Sequence, residues 1–292
     1  MPQGKHLYNQ DIPYQQLPVT GEFSIFSLGS FSNDLARFPH RHDSFQILWF
    51  EKGKGKHVVD FVNYELEDNV VYLLRPGQVH QLLDDGKDGH AIVFTEDFYF
   101  SNNNDRGSIF DFTSLYDDSQ VYAPINISEA TVAKLEALTI LMYGEVGKEG
   151  SCGKNILKHY LNALMLILER ERELHLNLPE RPARHFDARV LQLRKLIESN
   201  FRQEHQVKFY AEQFALTSKR LNEIVKEATG KTLSELVHDR LVLEAKRQLA
   251  YSHRSIKEIC YELGFEDPAY FSRFFRNHSG FSPQDFRDEM FK

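Results

Sequence analysis

Residues Ser255 to Arg287 read SIKEICYELGFEDPAYFSRFFRNHSGFSPQDFR and contain the clearest structural signal in the chain. This stretch divides into a short helical segment, a break at Gly264 and a second helical segment that ends at Gly280. The second segment carries phenylalanines at positions i, i+3 and i+4, the spacing of one face of an α-helix. A glycine just after such a face suits a left-handed helix C-cap. The stretch therefore predicts a helix-turn-helix unit.

The same pattern occurs about 50 residues earlier in the chain. Ala211–Leu216 aligns with Cys260–Phe265, and one extra residue then enters the second copy. The apolar triplet, a basic residue and the final glycine align as well: Leu221, Ile224, Val225, Lys226 and Gly230 with Phe271, Phe274, Phe275, Arg276 and Gly280. Thr217 and Asp267 are natural N-caps for the two second helices. We reject a plain helical bundle with a fortuitous repeat, because all these features match in register.

The sequence therefore predicts two helix-turn-helix units, at about 207–228 and 256–278. Leu233 to Ala250 reads as one continuous helix between them. A rigid connector of this kind fixes the distance between two recognition helices.

This part of the chain, from about Arg189 to Arg287, resembles the DNA-binding domain of the AraC/XylS family of transcription regulators. Four segments carry the resemblance: Arg240–Leu249, Ser255–Phe265, Tyr270–Arg276 and Gly280–Arg287. Cys260 stands where the family has alanine, and a helix interior tolerates cysteine as a small hydrophobic residue. The resemblance implies a regulator that binds double-stranded operator DNA, favours an activator and suggests RNA polymerase as a further partner. Activation and repression both stay open on the sequence alone.

The outward positions of the two predicted recognition helices are the candidate DNA contacts. They are Ser218, Lys219, Arg220, Asn222 and Glu223 in the first unit, and Ala269, Ser272, Arg273 and Arg276 in the second. Lysine or arginine reads guanine, asparagine pairs with adenine, and glutamate accepts from cytosine. We expect Arg273 to read a base and Arg276 to anchor a phosphate. The alternative for each side chain is an ordinary solvated surface group.

Residues 20–100 predict an antiparallel β-barrel or sandwich. Short runs rich in β-branched and aromatic residues recur there, separated by turn signals that include Lys52–Gly55, Glu67–Asn69, Arg75–Gly77 and Asp84–Gly86. A helix from Ser128, its predicted cap, to about Gly147 and another from Asn155 to Leu174 then form a helical hairpin. The hairpin either caps the barrel or also forms a homodimer interface, with Leu161 and Leu164 as candidate interface residues.

The β-region is similar to cupin barrels and to the sensor domain that AraC-family regulators commonly carry. His40, His42 and His80 match the histidines of metal-binding cupins, but Gln46 stands at the carboxylate position. Imidazoles alone could hold zinc, nickel or iron(II). We favour two other roles for these histidines, a structural role or the lining of an effector pocket. We therefore predict neither a metal nor another cofactor. The candidate effector pocket comprises Phe38, His40, His42, Gln46, Trp49, Tyr72 and His80.

Charge separates the two modules. The net charge of the 292 residues is −7, but residues 1–186 carry −9 and residues 187–292 carry +2. Two prolines in the polar stretch from Leu178 to Arg184 indicate a linker. We therefore expect a cupin-like effector-binding and dimerisation domain at 1–176, a linker at 177–188 and the DNA-binding domain at 189–287.

Composition and motif searches narrow the function. Two distant cysteines make neither a disulfide scaffold nor a CxxC-type site, and the polar stretch from Met1 to Asp11 lacks the apolar core of a signal peptide. No nucleophile, phosphate-loop or zinc-protease motif occurs, so no catalytic residues are assigned. We expect an α+β, two-domain cytoplasmic regulator that senses a small molecule. The alternative is a metal-dependent cupin enzyme with a helical appendage.

Overall fold

The structure is a computed structural model that describes residues 21–30, 36–100, 124–148, 150–176 and 188–290. The chain divides into two compact units, one with the described residues of 13–182 and the other with those of 183–290. The first unit is an antiparallel sheet with helices, and the second consists of helices.

The first unit contains a six-stranded sheet with strand order β1-β5-β2-β4-β6, and β3 pairs with β2 at its side. Every pairing is antiparallel. The strands are β1 (Phe23–Ser27), β2 (Phe45–Val59), β3 (Val62–Glu65), β4 (Val70–Leu74), β5 (His80–Phe94) and β6 (Ile125–Asn126). The predicted antiparallel β-region is confirmed.

Two of the predicted turns were wrong, because they lie inside the long strands β2 and β5. Lys52–Gly55 continues β2, and Asp84–Gly86 continues β5, its partner along nearly the whole length. The register shifts between Lys54 and Gly55, where an extra residue makes a β-bulge. A Cβ on Gly53 would lie 2.8 Å from the carbonyl oxygen of Glu67. Glycine therefore permits close backbone approach here and does not mark a turn.

The two faces of the sheet bury two separate cores, because alternate residues of a strand point to opposite faces. On one face, Phe45, Ile47 and Trp49 of β2 pack with the helices. On the other, Leu48 and Phe50 pack with residues that include Tyr72, Leu74 and Leu82. The predicted helical hairpin covers only the first of these cores.

The helices of the first unit are α1 (Glu96–Phe100), α2 (Glu129–Glu145) and α3 (Ser151–Leu176). Ser128 precedes α2 but makes no side-chain cap; its hydroxyl donates to Glu171 of α3 at 3.1 Å. Leu161 and Leu164 of α3 are fully buried against the sheet. The prediction that these two leucines lie at a dimer interface was therefore wrong, since the sheet of the same chain already covers them.

The second unit contains seven helices in the described residues. They are α4 (Ala188–Asn200), α5 (Val207–Gln213), α6 (Ser218–Thr229), α7 (Leu233–Tyr251), α8 (Ile256–Glu262), α9 (Pro268–Ser279) and α10 (Pro283–Met290). Helices α5 and α6 form the first helix-turn-helix unit, and α8 and α9 form the second. The connector α7 contacts α6, α8, α9 and α10. With 19 residues it is about 28 Å long.

No helix in the described part of the chain combines the length and the apolar character needed to cross a lipid bilayer.

Candidate DNA interface and effector pocket

The second recognition helix, α9, is fixed by its cap and its buried face. The carboxylate of Asp267 accepts hydrogen bonds from the backbone N–H groups of Ala269 at 2.6 Å and Tyr270 at 2.9 Å. These bonds lower the pKa of Asp267. Phe271, Phe274 and Phe275 are buried, and Gly280 ends the helix with φ of 83°. The buried triplet turns the opposite side of the helix outward.

The outward side of α9 presents two unpaired guanidinium groups. Arg273 and Arg276 are exposed, and neither forms an ion pair with another described residue. Ala269 is exposed beside them, and the Ser272 hydroxyl donates to the carbonyl oxygen of Pro268 at 2.8 Å. Both arginines are therefore available to an anionic partner.

The first recognition helix, α6, has the same frame and a different surface. The Thr217 hydroxyl accepts from the backbone N–H of Arg220 at 3.2 Å, and Gly230 ends the helix with φ of 77°. Lys219 and Arg220 are exposed, whereas Ser218 is half-buried. The Arg220 guanidinium lies 3.1 Å from the Glu223 carboxylate. Because both groups are exposed, this ion pair is weak. It can therefore open when the Arg220 or Glu223 side chain contacts DNA.

The predicted adenine contact of Asn222 is corrected by the structure. The Asn222 side-chain oxygen accepts a hydrogen bond from the backbone N–H of Leu233, the first residue of α7, at 2.9 Å. A bidentate contact with adenine needs that oxygen as well as the side-chain nitrogen. In this arrangement Asn222 ties the recognition helix to the connector instead.

The connector also contains a buried cluster of charged side chains that the sequence did not predict. Glu244 is 1% exposed and lies 3.0 Å from Arg240, 3.1 Å from Arg202 and 3.7 Å from Arg247. Arg240 also forms two bonds with Glu198 of α4, at 2.6 and 2.7 Å. The cluster holds α4 on the connector that both units share. The i, i+3 and i, i+4 spacing of these charges along α7 was the available signal.

In the first unit, the three predicted histidines come together beside the second core. His40 and His80 exchange backbone hydrogen bonds of 3.0 and 2.8 Å. Their ring centroids are 4.2 Å apart, and the ring of His42 lies 4.9 Å from His40 and 5.2 Å from His80. All three residues are 4% exposed. The resemblance to cupin barrels had implied this convergence.

A fourth histidine, His57, joins the cluster and was not predicted. Its Nε2 lies 3.3 Å from Nδ1 of His80, and its ring packs edge-on against Tyr72 at 4.4 Å. Burial lowers the pKa of His57 to about 3 and brings the pKa of His80 well below its usual value. Both imidazoles are therefore neutral at pH 7. The pairing of β2 with β5 places His57 beside His80. The sequence did not predict this contact, because the turns it predicted would have interrupted both strands.

The remaining predicted pocket residues divide between different surfaces. Gln46 is buried and pairs across the sheet with Leu74, so both point toward the second core. Tyr72 belongs to the same core. Trp49 was wrongly placed with them, because the strand alternation turns it to the opposite face, toward the helices. The prediction that Phe38 forms a buried wall of the pocket was also wrong, since the residue is 43% exposed.

Comparisons with known proteins agree with this architecture. Residues 210–289 match a helix-turn-helix domain family, and residues 29–91 match the AraC-like ligand binding domain family. The HTH-type transcriptional activator RhaS of Salmonella paratyphi A is 27% identical over 262 residues, which cover 86% of this chain and 88% of RhaS. RhaS of Salmonella typhimurium is 27% identical over 261 residues, with the same coverage.

Solved structures give a weaker likeness. ToxT of Vibrio cholerae has a TM-score of 0.42 and 15% identity, covering 91% of this chain and 98% of ToxT. The C-terminal domain of the response regulator yesN of Fusobacterium nucleatum has a TM-score of 0.34 and 22% identity, covering 35% of this chain and 99% of that domain.

Two helix-turn-helix units on one connector, together with a ligand-binding sheet domain, define a DNA-binding transcription regulator with an effector-sensing domain. The chain is similar to regulators of the AraC/XylS family in both of its domains.

Proposed function

We propose that the protein is a homodimeric activator whose monomer reads operator DNA through both recognition helices. The observation that supports this most directly is the pair of exposed, unpaired arginines, Arg273 and Arg276, on a helix fixed by a buried phenylalanine triplet. The connector, about 28 Å long, suits two units that enter successive major grooves about 34 Å apart. Footprinting on the cognate operator would test this, and protection of a single groove per monomer would contradict it.

We assign different roles to the outward residues. Arg273, nearer the N-terminus of α9, reads a base, and Arg276, one turn later, anchors a phosphate. Lys219 and Arg220 supply positive charge on α6, while Ser218, Ala269 and Ser272 are small groups that let the DNA come close. Glu223 accepts from a cytosine when Arg220 turns to a phosphate.

Dimerisation is proposed through the outward sides of α2 and α3. Leu161 and Leu164 cannot serve, because they are buried in the monomer. Large apolar side chains nevertheless stay exposed on these helices: Ile140 at 71%, Leu166 at 55% and Leu174 at 66%. A second copy of the chain would bury them in a symmetric contact.

The dimer is tested by placing charge in the contact. The double substitution Ile140→Lys and Leu166→Lys should shift sedimentation from dimer to monomer, since a buried unpaired charge is costly. Glu67→Lys, at an exposed position in the turn between β3 and β4, serves as the control and should leave the mass unchanged. A double variant that still sediments as a dimer would place the interface elsewhere.

We also propose that the DNA-binding domain folds alone. The fragment 183–292 should bind the operator more weakly than the full chain, because it loses the second copy and hence the gain from bivalency. Gel-shift titration of both proteins measures the difference. A fragment that is folded yet does not bind DNA would argue against the boundary at the predicted linker.

The effector-binding role is proposed for the histidine-lined face of the sheet domain. RNA polymerase is proposed as the partner of the DNA-bound dimer. We propose that the protein acts in the bacterial cytoplasm. We propose no enzymatic activity, in keeping with a family of regulators. A ligand that binds only the native state raises the melting temperature. Screening small molecules by thermal shift, followed by transcription in vitro with RNA polymerase, would identify the effector and show activation or repression.

A further inference from the structure

A short segment between α4 and α5, residues 201–206, reaches the turn of the second helix-turn-helix unit; we call it the bridge segment. The ring nitrogen Nε2 of His205 lies 2.9 Å from the carbonyl oxygen of Leu263, the C-cap of α8. A carbonyl only accepts, so Nε2 carries the proton and donates it. The ring of His205 also packs on Phe265, with the ring centroids 4.8 Å apart. His205 therefore makes both a polar and an apolar contact with the second turn.

The backbone of the bridge segment comes equally close to that turn. A Cβ on Gly264 would overlap the carbonyl oxygen of Arg202 and would lie 3.3 Å from His205 Nε2. Glycine is therefore needed at this position by the neighbouring segment as well as by its left-handed φ of 78°. The Leu263 carbonyl stands at the end of α8, where carbonyl oxygens lack a partner within the helix. His205 supplies that partner from outside the second unit.

The other side of the bridge segment is anchored in the first unit and in the connector. The carbonyl oxygen of Glu204 accepts a hydrogen bond from the hydroxyl of Tyr210 in α5 at 2.7 Å, and Tyr210 is fully buried. The backbone N–H of Glu204 donates to Asn200 of α4 at 2.9 Å. Arg202 lies 3.1 Å from Glu244 of the connector. The segment is thus held by α4, α5 and α7 where it meets the second turn.

We infer that His205 is a positioning residue, through which the bridge segment fixes the angle between the two recognition helices. The connector sets their distance, but a unit held by one helix alone can still rotate about its contact with that helix. A second link, on the turn of the second unit, removes this freedom. Phe265 passes the constraint to α9, because its ring centroid lies 5.2 Å from that of Phe271 and 5.0 Å from that of Phe274.

The fixed angle makes the protein selective for the spacing between the two DNA segments that its recognition helices contact. This consequence rests on the proposed function, in which one monomer reads DNA through both helices. One added base pair displaces the second segment by about 3.4 Å and turns it by about a tenth of a helical turn. A rigid pair of units cannot follow that displacement, whereas a pair that rotates freely can.

The first test measures the angle constraint without DNA. Spin labels are placed at two exposed, equivalent positions, Glu227→Cys of α6 and Asn277→Cys of α9, in the full-length protein. Cys152, which is exposed, is replaced by serine, and Cys260 is buried. Labelled protein is diluted with unlabelled protein so that pulsed electron spin resonance reports distances within one chain. The distance distribution should be narrow, should broaden with His205→Ala, and should narrow again with His205→Gln, which keeps an N–H donor.

The second test measures spacing selectivity on DNA. An operator selected by the wild-type protein from random DNA is compared with versions that have one base pair more or less between the two footprinted segments. Wild type should lose at least about 10-fold in affinity, as for a mismatched base pair. In His205→Ala the loss should shrink to about threefold or less, because the pair of units is no longer preorganised for one spacing.

A control variant separates positioning from stability. Ser282→Ala removes a hydrogen bond of 3.1 Å to the backbone N–H of Asp285, within the second unit. It should keep the narrow distance distribution and the wild-type dependence on spacing. Broadening as large as that of His205→Ala would overturn the inference, since loss of stability alone would then account for the effect.

The two measurements also separate this inference from the proposed function. An unchanged distance distribution in His205→Ala, or a His205→Gln variant as broad as His205→Ala, overturns the role of His205. A distribution that broadens while the dependence on spacing stays as in wild type supports the constraint and contradicts the proposal that one monomer reads both DNA segments.

Discussion

The two helix-turn-helix units share a frame and differ in what they present outward. In both, an N-cap, a buried apolar triplet and a left-handed glycine fix the recognition helix. With Leu221 aligned on Phe271, Glu223 takes the position of Arg273. The first unit thus has a carboxylate, paired with Arg220, where the second has an unpaired guanidinium. The buried positions therefore keep the same helix-turn-helix structure in both units, while the outward positions differ and give the two units different contacts with DNA.

The turns of the two units differ as well. Ala215 of the first turn has φ of +51°, and Gly264 of the second has φ of +78°. A left-handed conformation costs an L-residue roughly 1–2 kcal/mol, so the first turn is strained and the second is not. A Cβ on Gly264 would also clash with the backbone oxygen of Arg202.

The largest expected effect is on stability, from Gly264→Ala. It combines left-handed strain with a backbone clash, and we expect a loss of at least about 3 kcal/mol in the free energy of unfolding. Gly280→Ala is the matched control, since its φ is +83° but nothing lies within 4 Å of the added Cβ. It should cost only about 1–2 kcal/mol. Urea unfolding measures both, and equal losses would refute the role of the clash.

The next effect is on sequence recognition, from Arg273→Ala. We expect a loss of about 1–3 kcal/mol on the cognate operator and a relaxed preference at one base position. Glu223→Ala at the equivalent position should change affinity by less than about 1 kcal/mol, because the lost cytosine contact is offset when Arg220, freed from its exposed ion pair, binds a phosphate. Binding to a panel of single-base operator variants measures both. If Arg273→Ala weakens every variant equally, Arg273 contacts a phosphate.

A smaller, sequence-independent effect is expected from Arg276→Ala. Losing one phosphate contact should weaken all DNA sequences alike and reduce the slope of log affinity against log salt by about one. Lys226→Ala, at the equivalent position of α6, should do the same if the two units bind DNA alike. Measuring affinity at several salt concentrations tests both variants. An unchanged slope for Lys226→Ala would show that the two units contact the DNA phosphates differently.

The smallest effect is expected from Ala215→Gly. Glycine relieves the left-handed strain of the first turn. It also raises the entropy of the unfolded chain, which lowers the free energy of unfolding by about 0.5–1 kcal/mol. The net result should be a gain of about 0.5 kcal/mol in unfolding free energy with no change in DNA affinity. Urea unfolding beside Gly264→Ala gives the comparison, and a loss of stability would show that Ala215 is not strained.

Some parts of the molecule could be predicted because their signals are local. The two recognition helices were found from their triplets, caps and glycines, all within a dozen residues of one another. The antiparallel β-region was also predicted correctly, whereas the convergence of His40, His42 and His80 was implied only by the resemblance to cupin barrels. In contrast, the prediction of a turn at Lys52–Gly55 is wrong because a glycine that permits close backbone approach has the same local signature as a turn glycine.

The double helix-turn-helix follows from the sequence alone, since helical period and capping are properties of neighbouring residues. Which apolar and polar groups meet across the fold depends on tertiary packing. It buried Leu161 and Leu164 against the sheet, turned Trp49 to the helix side, and engaged Asn222 with the connector. It also brought His57 to His80, 23 residues away, through the register of β2 and β5. Strand register depends on long-range pairing, and a shift of one residue reverses every side chain.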